Sequence, residues 1–183
     1  MNITPTHIDG VYIIEPRVFS DARGHFFESY NKLRLEEKGI EYTFVQDNQS
    51  KSSYGVIRGL HFQKPPHAQT KLLRVVEGII IDVAVDIRKN SPTYGQHVAI
   101  ELSADNFKQL LIPEGFAHGF SVISETAIVQ YKCTDYYYPE TEGGISYNDS
   151  SLGINWQIPL VKAIVSEKDA KLPTLQDFIT PFI

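Results

Sequence analysis

The chain has 183 residues and a formal net charge of −5, with 42% hydrophobic and 21% charged residues. This length and composition are typical of one globular domain with its own core, and we predict a single domain over residues 1–183. The acidic balance argues against general binding to nucleic acid. An anionic ligand would therefore need a local cluster of basic side chains.

Location is predicted from what the sequence lacks. No uninterrupted apolar run approaches the roughly 20 residues that span a bilayer, and we expect no membrane association. The N-terminal residues show no basic region followed by an apolar core, so we expect no signal peptide. The one cysteine, Cys133, cannot form an internal disulfide, and a cytoplasmic location is the default expectation. We interpret Cys133 as a small core residue rather than a nucleophile.

Short β-rich runs recur along the chain between clusters of glycine, proline and polar turn residues. The predicted strands are residues 11–14, 26–30, 44–48, 56–63, 71–76, 79–87, 98–102, 109–112, 119–123 and 127–133. One helix is predicted at residues 32–38, ending at Gly39, which suits the left-handed position after a helix. Residues 166–178 allow short helical turns, which Pro173 limits. Many short strands favour a β-sandwich or barrel.

Alternation along two of the predicted strands directs polar side chains inward. Lys71 shares a strand face with Leu73, and Tyr131 shares one with Val129, because successive side chains point to opposite faces. An inward lysine is costly unless it is paired or functional, although a lysine at a strand end can also reach solvent.

Strict alternation would place Arg58 and His61 on opposite faces of their strand. Gly59 lies between them, and a bulge at this glycine would reset the register. The sequence by itself leaves this open.

Two histidine motifs raise the question of a metal. The segment PEGFAH at residues 113–118 resembles the second motif of the cupin jelly rolls, with His118 at its end. Metal-binding cupins have a His-x-His pair in their first motif, but the matching place here reads His61-Phe62-Gln63. Because metal sites of this type need clustered ligands, we predict that no metal is bound.

His61 and Asp169 suggest proton transfer instead. A carboxylate bonded to one imidazole nitrogen fixes the tautomer and makes the other nitrogen a better base. The alternative for Asp169 is a turn or cap residue, and the alternative for Tyr131 is a buried ring with a bonded hydroxyl. From the residues alone, those alternatives are favoured.

Nearly the whole chain resembles the dTDP-4-dehydrorhamnose 3,5-epimerase family. The matching stretches are DARGHFFE (21–28), RGLHFQ (58–63), QTKLLRV (69–75), DVAVDIR (82–88), SPTYG (91–95), IPEGFAHGF (112–120), YKCT (131–134) and SEKD (166–169). The resemblance implies a mainly β, cupin-type jelly-roll sandwich or barrel with a few short helices. It also implies a cofactor-independent epimerase acting on dTDP-4-dehydro-6-deoxy-D-glucose.

The resemblance further implies the role of each residue. His61 abstracts a proton and is oriented by Asp169, Tyr131 delivers a proton from the opposite face, and Lys71 stabilises the enolate oxygen. The substrate-binding residues that it implies are Phe19, Arg23, Glu28, Gln46, Asn48, Arg58, His118, Tyr137, Glu142 and Lys168. Family members are homodimers with exchanged N-terminal strands, so Arg23 and Glu28 could serve the neighbouring subunit.

Other functions remain as alternatives. The closest is an epimerase of a related 4-keto sugar nucleotide that acts at C3 only. A metal-dependent cupin oxygenase and a non-catalytic sugar-nucleotide-binding cupin belong to different classes. The joint presence of His61, Lys71, Tyr131 and Asp169 favours an epimerase over a binding protein.

Overall fold

The computed structural model describes residues 1–183 and contains two antiparallel sheets with a separate hairpin. The strands are β1 (Asn2–Pro5), β2 (Tyr12–Glu15), β3 (Phe19–Asp21), β4 (Gly24–Phe26), β5 (Gln46–Ser53), β6 (Ile57–Gln63), β7 (Lys71–Glu77), β8 (Ile79–Asp86), β9 (His97–Ser103), β10 (Gln109–Ile112), β11 (Phe116–Val122), β12 (Thr126–Cys133) and β13 (Glu142–Gly144). The helical elements are α1 (Lys32–Glu36) and 3₁₀ turns at Pro139–Thr141, Ser150–Leu152, Leu160–Lys162 and Asp169–Lys171.

The strand order identifies a jelly roll. One sheet has six strands in the order β1-β2-β10-β7-β12-β5, and the other has five in the order β13-β6-β11-β8-β9. From β5 to β12 the chain crosses to the other sheet at every step except β8 to β9. This connectivity is that of a double-sheet jelly roll, and the predicted fold class is confirmed. No helix is long and apolar enough to cross a membrane.

Strand β8 shows how the sequence builds the layers. Ile80 and Ala84 belong to the core between the sheets, whereas Ile81 and Val83 belong to a second core covered by the C-terminal segment. A strand buried on both faces has a nearly continuous apolar sequence, as here. Because side chains alternate, Asp82 shares the face of Ile80 and Ala84 and points between the sheets.

Helix α1 covers the outer face of the six-stranded sheet. Leu35 is buried there with Leu72 and Leu111 in a third, smaller core. The helix begins at the predicted residue but ends at Glu36, two residues earlier than expected. Gly39 has φ +74°, which confirms the left-handed conformation predicted after the helix.

Several predicted strand boundaries are wrong. Residues 27–30 lie outside any strand, because only Gly24–Phe26 pairs, with Phe19–Asp21. Strand β5 begins later than predicted and continues to Ser53 through polar residues, since it pairs with β12 along its whole length. Strands β1, β3 and β13 were not predicted because they are short and contain no apolar run. The 3₁₀ turn at Asp169–Lys171 confirms the expected helical turn in the C-terminal segment.

Candidate active site

A cleft of about 560 Å³ opens between the two sheets, and residues of both sheets line it. Strands β6 and β11 supply side chains from the five-stranded sheet, and β7 and β12 supply them from the six-stranded sheet. The predicted site residues in this cleft are Arg58, His61, Lys71, His118, Tyr131, Lys168 and Asp169. One cleft therefore holds three cationic side chains (Arg58, Lys71 and Lys168) and two groups that can transfer protons (His61 and Tyr131). These side chains come from distant parts of the chain.

Arg58 and His61 both reach the cleft because β6 is irregular at Gly59. The register between β6 and β11 shifts between these two positions, so that Arg58 and His61 line the same cavity. Gly59 has φ +138°, and a Cβ at this position would lie 2.5 Å from the Cα of Gly119. Both the conformation and the space require glycine. This irregularity decides the strand register that the sequence leaves open.

His61 is paired with Asp169. Its Nε2 lies 2.8 Å from Oδ1 of Asp169, which is only 4% exposed. The other carboxylate oxygen accepts the backbone N–H of Gly59 at 3.2 Å. Burial by itself raises the pKa of Asp169, but the hydrogen bond and charge of His61, with the N–H of Gly59, bring it below the ordinary value. An ionised Asp169 orients the imidazole, and Nδ1 of His61 can then exchange a proton.

Tyr131 and Lys71 lie on neighbouring strands, with the Lys71 Nζ 6.0 Å from the centre of the Tyr131 ring. Both line the cleft, which confirms that they point inward. Burial raises the pKa of Tyr131, so its hydroxyl keeps a proton to donate. Burial lowers the pKa of Lys71, although nearby acidic groups, including Asp82, oppose this shift.

A second histidine–aspartate pair lies in the same cleft. Nε2 of His118 is 2.7 Å from Oδ1 of Asp82, and both residues are buried. His118 is the direct cross-strand neighbour of His61. Strand β11 thus places a second imidazole beside the first.

A smaller cavity of about 230 Å³ adjoins the cleft and shares His61, Lys71 and Tyr131 with it. The predicted residues found there are Gln46, Asn48, Tyr137 and Glu142.

Glu142 links this smaller cavity to the main cleft. Its carboxylate accepts the Tyr137 hydroxyl at 2.7 Å and forms an ion pair with Lys168. Burial raises the pKa of Glu142, but hydrogen bonds from Lys168 and Tyr137 lower it to a net value below the ordinary one. The ionised Glu142 thus joins Tyr137 in one cavity to Lys168 in the other.

Three predicted binding residues lie outside both cavities. Phe19 is 52% exposed on β3, and the guanidinium of Arg17 lies 4.8 Å from its ring centre. The side chain of Arg23 is 90% exposed and pairs with Asp21 at 2.6 Å. Glu28 accepts a hydrogen bond from Asn31 near the start of α1. Within one chain, the structure does not bring these residues to the cleft.

Gln63, which occupies the second ligand position of the cupin motif, has a structural role. Its Nε2 donates to the carbonyls of His67 and Tyr136, and its Oε1 accepts the N–H of Tyr138. Its amide is therefore used to hold the loop that carries Tyr137. No group of three or more His, Cys, Asp or Glu side chains is placed to hold a metal ion. Cys133 is buried.

The structure adds residues that sequence reasoning missed. Ser52 accepts a hydrogen bond from Nε of Arg58 at 3.0 Å, and Ser166 accepts the backbone N–H of Asp169 at 3.1 Å. Asp82 completes the second histidine pair. Only Asp82 had a signal in the sequence, since a carboxylate within an otherwise apolar run needs a partner.

The fold and the cleft together define a class: a jelly-roll protein with a proton-transfer site built from a carboxylate-oriented histidine, a tyrosine and a lysine. Comparisons with known proteins make the class specific. Residues 5–177 match the profile of the family described as dTDP-4-dehydrorhamnose 3,5-epimerase. The enzyme of that name from Salmonella typhimurium is 54% identical over 176 residues, which cover 96% of each chain.

Solved structures agree. The dTDP-4-dehydrorhamnose 3,5-epimerase of Elizabethkingia anophelis superposes with a TM-score of 0.93 at 53% identity, covering 97% of each chain. The dTDP-6-deoxy-D-glucose-3,5-epimerase of Legionella pneumophila, in complex with dTDP-4-keto-L-rhamnose, gives a TM-score of 0.93 at 49% identity, covering 97% of this chain and 94% of its own. The chain belongs to the dTDP-4-dehydrorhamnose 3,5-epimerase family, and it is an enzyme of the epimerase class.

Proposed function

We propose that this enzyme converts dTDP-4-dehydro-6-deoxy-D-glucose to dTDP-4-dehydro-L-rhamnose, within dTDP-L-rhamnose biosynthesis. The observation that carries the proposal is the meeting of the His61–Asp169 pair, Tyr131 and Lys71 in one cleft. Relatives with that activity are about half identical to this chain over most of its length.

The chemistry follows from the C4 ketone, which acidifies the protons on C3 and C5. His61, oriented by Asp169, abstracts a proton and leaves an enolate, whose oxygen Lys71 stabilises by its charge. Tyr131 then donates a proton to the opposite face of the carbon. Once His61 has released its proton to solvent and Tyr131 has regained one, the same cycle inverts the second centre. The ketone itself holds the electron pair, so the reaction needs no cofactor.

Binding of the nucleotide diphosphate needs the local basic groups of the cleft. A guanidinium suits phosphate oxygens, and Arg58 is held at the cleft by Ser52. We place His118 and Lys168 near the diphosphate or sugar. Gln46, Asn48, Tyr137 and Glu142 line the adjoining cavity, and we assign it to the nucleotide.

The remaining binding residues lead us to propose a homodimer. We also propose a cytoplasmic location, the default for a chain with a single cysteine. Phe19, Arg23 and Glu28 lie outside their own chain's cavities, and Arg23 is nearly fully exposed. In a dimer, these residues would enter the cleft of the second copy and contact the substrate bound there. The segment from Phe19 to Glu28 would then complete the partner's site rather than its own.

Incubation with the dTDP-4-keto sugar in deuterated water tests the function. We expect deuterium at both C3 and C5, and a product that is consumed by the reductase that follows. Tyr131→Phe should still exchange protons through His61 but lose net epimerisation, because abstraction does not need the donor on the other face. Loss of exchange in Tyr131→Phe would contradict these separate roles.

The alternative within the same class is epimerisation at C3 only, or of a related 4-keto sugar nucleotide. Deuterium at C3 with none at C5 would establish it and overturn the double epimerisation. Full activity of metal-free protein would exclude a metal-dependent oxygenase. Epimerisation by His61→Asn at the wild-type rate would favour a binding protein or another base.

A further inference from the structure

We propose that the buried Asp82 holds His118 as an imidazolium, and that Nδ1–H of His118 donates to the enolate oxygen alongside Lys71. The inference rests on the proposed function, because it assigns a further electrophile to the same reaction. Asp82 is a positioning residue, since it acts through His118 and lies behind it.

The first support is the burial of the pair. Asp82 has no exposed surface, and its Oδ1 lies 2.7 Å from Nε2 of His118. Its Oδ2 is also buried and has no hydrogen-bond partner. A buried carboxylate is costly unless a nearby charge compensates it. Protonation of His118 supplies that charge at the closest position available.

The second support is that the residues packed around Asp82 offer its carboxylate little other compensation. Its register neighbours on β11 and β9 are Phe120 and Ile100, both apolar. Lys71 on β7 is a further charged group near it, because the Asp82 carboxylate counteracts the effect of burial on the pKa of Lys71. No arginine or serine side chain satisfies Asp82, in contrast to Asp86 four residues later, which accepts bonds from Arg88, Ser91 and Thr93.

The third support is the direction of the ring. With Nε2 bonded to Asp82 behind it, Nδ1 of His118 is the nitrogen left for the cleft, which His118 lines together with Lys71. A cationic ring has N–H groups at both nitrogens, so it cannot take a proton and can only donate. His118 therefore differs from His61, its cross-strand neighbour, which serves as the base. Two imidazoles in one cleft would have opposite tasks.

Nuclear magnetic resonance of the wild-type protein tests the charge state directly. We expect the ring nitrogens of His118 to show the imidazolium pattern at pH 7.5, with the signal assigned by its absence in His118→Asn. A neutral ring in the wild-type protein would overturn the proposal. This measurement does not depend on whether any Asp82 variant folds.

The catalytic role is tested with Asp82→Asn, which keeps the shape of the side chain but removes its charge. At saturating substrate we expect deuterium exchange at C3 and C5 to fall together, by about 10- to 100-fold, as for a weakened oxyanion donor. The His118 ring should become neutral in the same variant. Asp135→Asn is the matched control, because Asp135 pairs with His67 at 2.9 Å outside both cavities. It should retain exchange within about twofold.

The deuterium measurements distinguish failure of the role of Asp82 from failure of the proposed epimerase function. Wild-type exchange in Asp82→Asn would overturn the role of Asp82 and leave the epimerase function intact. Loss of exchange at one carbon only would also overturn it, since His118 would then be a base for that carbon. Failure of the wild-type enzyme to incorporate any deuterium would instead overturn the proposed function, and this inference with it.

Discussion

The cleft and the β3–β4 hairpin contain the same kinds of residue but differ in surroundings. The cleft has Arg58, His61, Gly59 and Asp169, and the hairpin has Arg23, His25, Gly24 and Asp21. The six strand residues of the hairpin are all exposed, whereas Asp169 and Gly59 are buried. The comparison teaches that residue type suggests chemistry, but burial and fixed partners make a side chain able to perform it.

The histidines should show the largest difference. His61→Asn removes the base, and we expect the epimerisation rate to fall by about 10³-fold, within the range for a general base. His25→Asn is the matched control, since His25 lies on the exposed hairpin, with its ring centre 5.9 and 4.9 Å from those of Phe27 and Phe107. At saturating substrate it should stay within about twofold of wild type. A large loss in His25→Asn would break the comparison.

Alanine substitution at Gly59 and at Gly24 separates the free-energy cost of backbone strain from that of crowding. Gly59→Ala combines a positive φ with a Cβ 2.5 Å from another backbone, and we expect it to lower the free energy of unfolding by about 3 kcal/mol. Gly24 also has a positive φ, +123°, but nothing lies within 4 Å of its Cβ position. Gly24→Ala should therefore cost only about 1 kcal/mol. Urea unfolding measures both, and equal costs would mean that crowding at Gly59 is relieved by movement of β11.

The arginines test whether the hairpin serves a second chain. Arg58→Ala should raise KM by about 10- to 100-fold, through loss of charged hydrogen bonds to the diphosphate. Arg23→Ala should raise KM as well if Arg23 reaches a partner's cleft. Mixing Arg23→Ala with His61→Asn subunits sharpens this expectation. In a mixed dimer in which residues 19–28 of each chain enter the other chain's cleft, the Arg23→Ala subunit keeps His61 and receives Arg23 from its partner.

That mixture should regain activity at low substrate concentration. If each arginine served its own chain, no mixed dimer would have a complete site, and the mixture would be no better than its parts. Mixing each variant with wild type is the control for subunit exchange itself.

The aspartates should show the smallest difference, in the pH dependence of stability. The pKa of Asp169 is lowered in the fold, because the effects of His61, the backbone N–H of Gly59 and Ser166 together overcome the opposing effect of burial. Its stabilising contribution is therefore present above the unfolded pKa of about 3.9, and is lost as the pH falls through the folded value. Asp169→Asn should make the acid-side decline in unfolding free energy shallower than in wild type.

Asp21 is the control for that measurement. Its pKa is also lowered, by the side-chain and backbone hydrogen bonds of Arg23, but its side chain is exposed. Because solvent screens such a pair, Asp21→Asn should leave the acid-side decline nearly unchanged. An equal effect of the two substitutions would show that burial of Asp169 is not the cause.

Much of the fold could be predicted because apolar alternation is a local signal. Strand β10 was predicted at its observed bounds, and β7 and β12 to within one residue at either end. The polar half of β5 could not be predicted, since its strand conformation depends on pairing with β12. The β3–β4 hairpin could not be predicted either. Its two strands pair only with each other and bury no face, so the sequence shows no apolar alternation there.

The sequence by itself determined the jelly-roll class, the inward direction of Lys71 and Tyr131, and the family to which the chain belongs. Periodicity and collinear motifs are properties of the chain order, so they can be read without coordinates. Only the tertiary structure decided that the irregularity at Gly59 turns Arg58 and His61 to one cleft, and that Asp82 lies behind His118. It also supplied the contact between Asp169 and His61, which the family resemblance had implied. Those contacts join residues 36 to 108 positions apart or depend on a shifted register, and no local pattern specifies them.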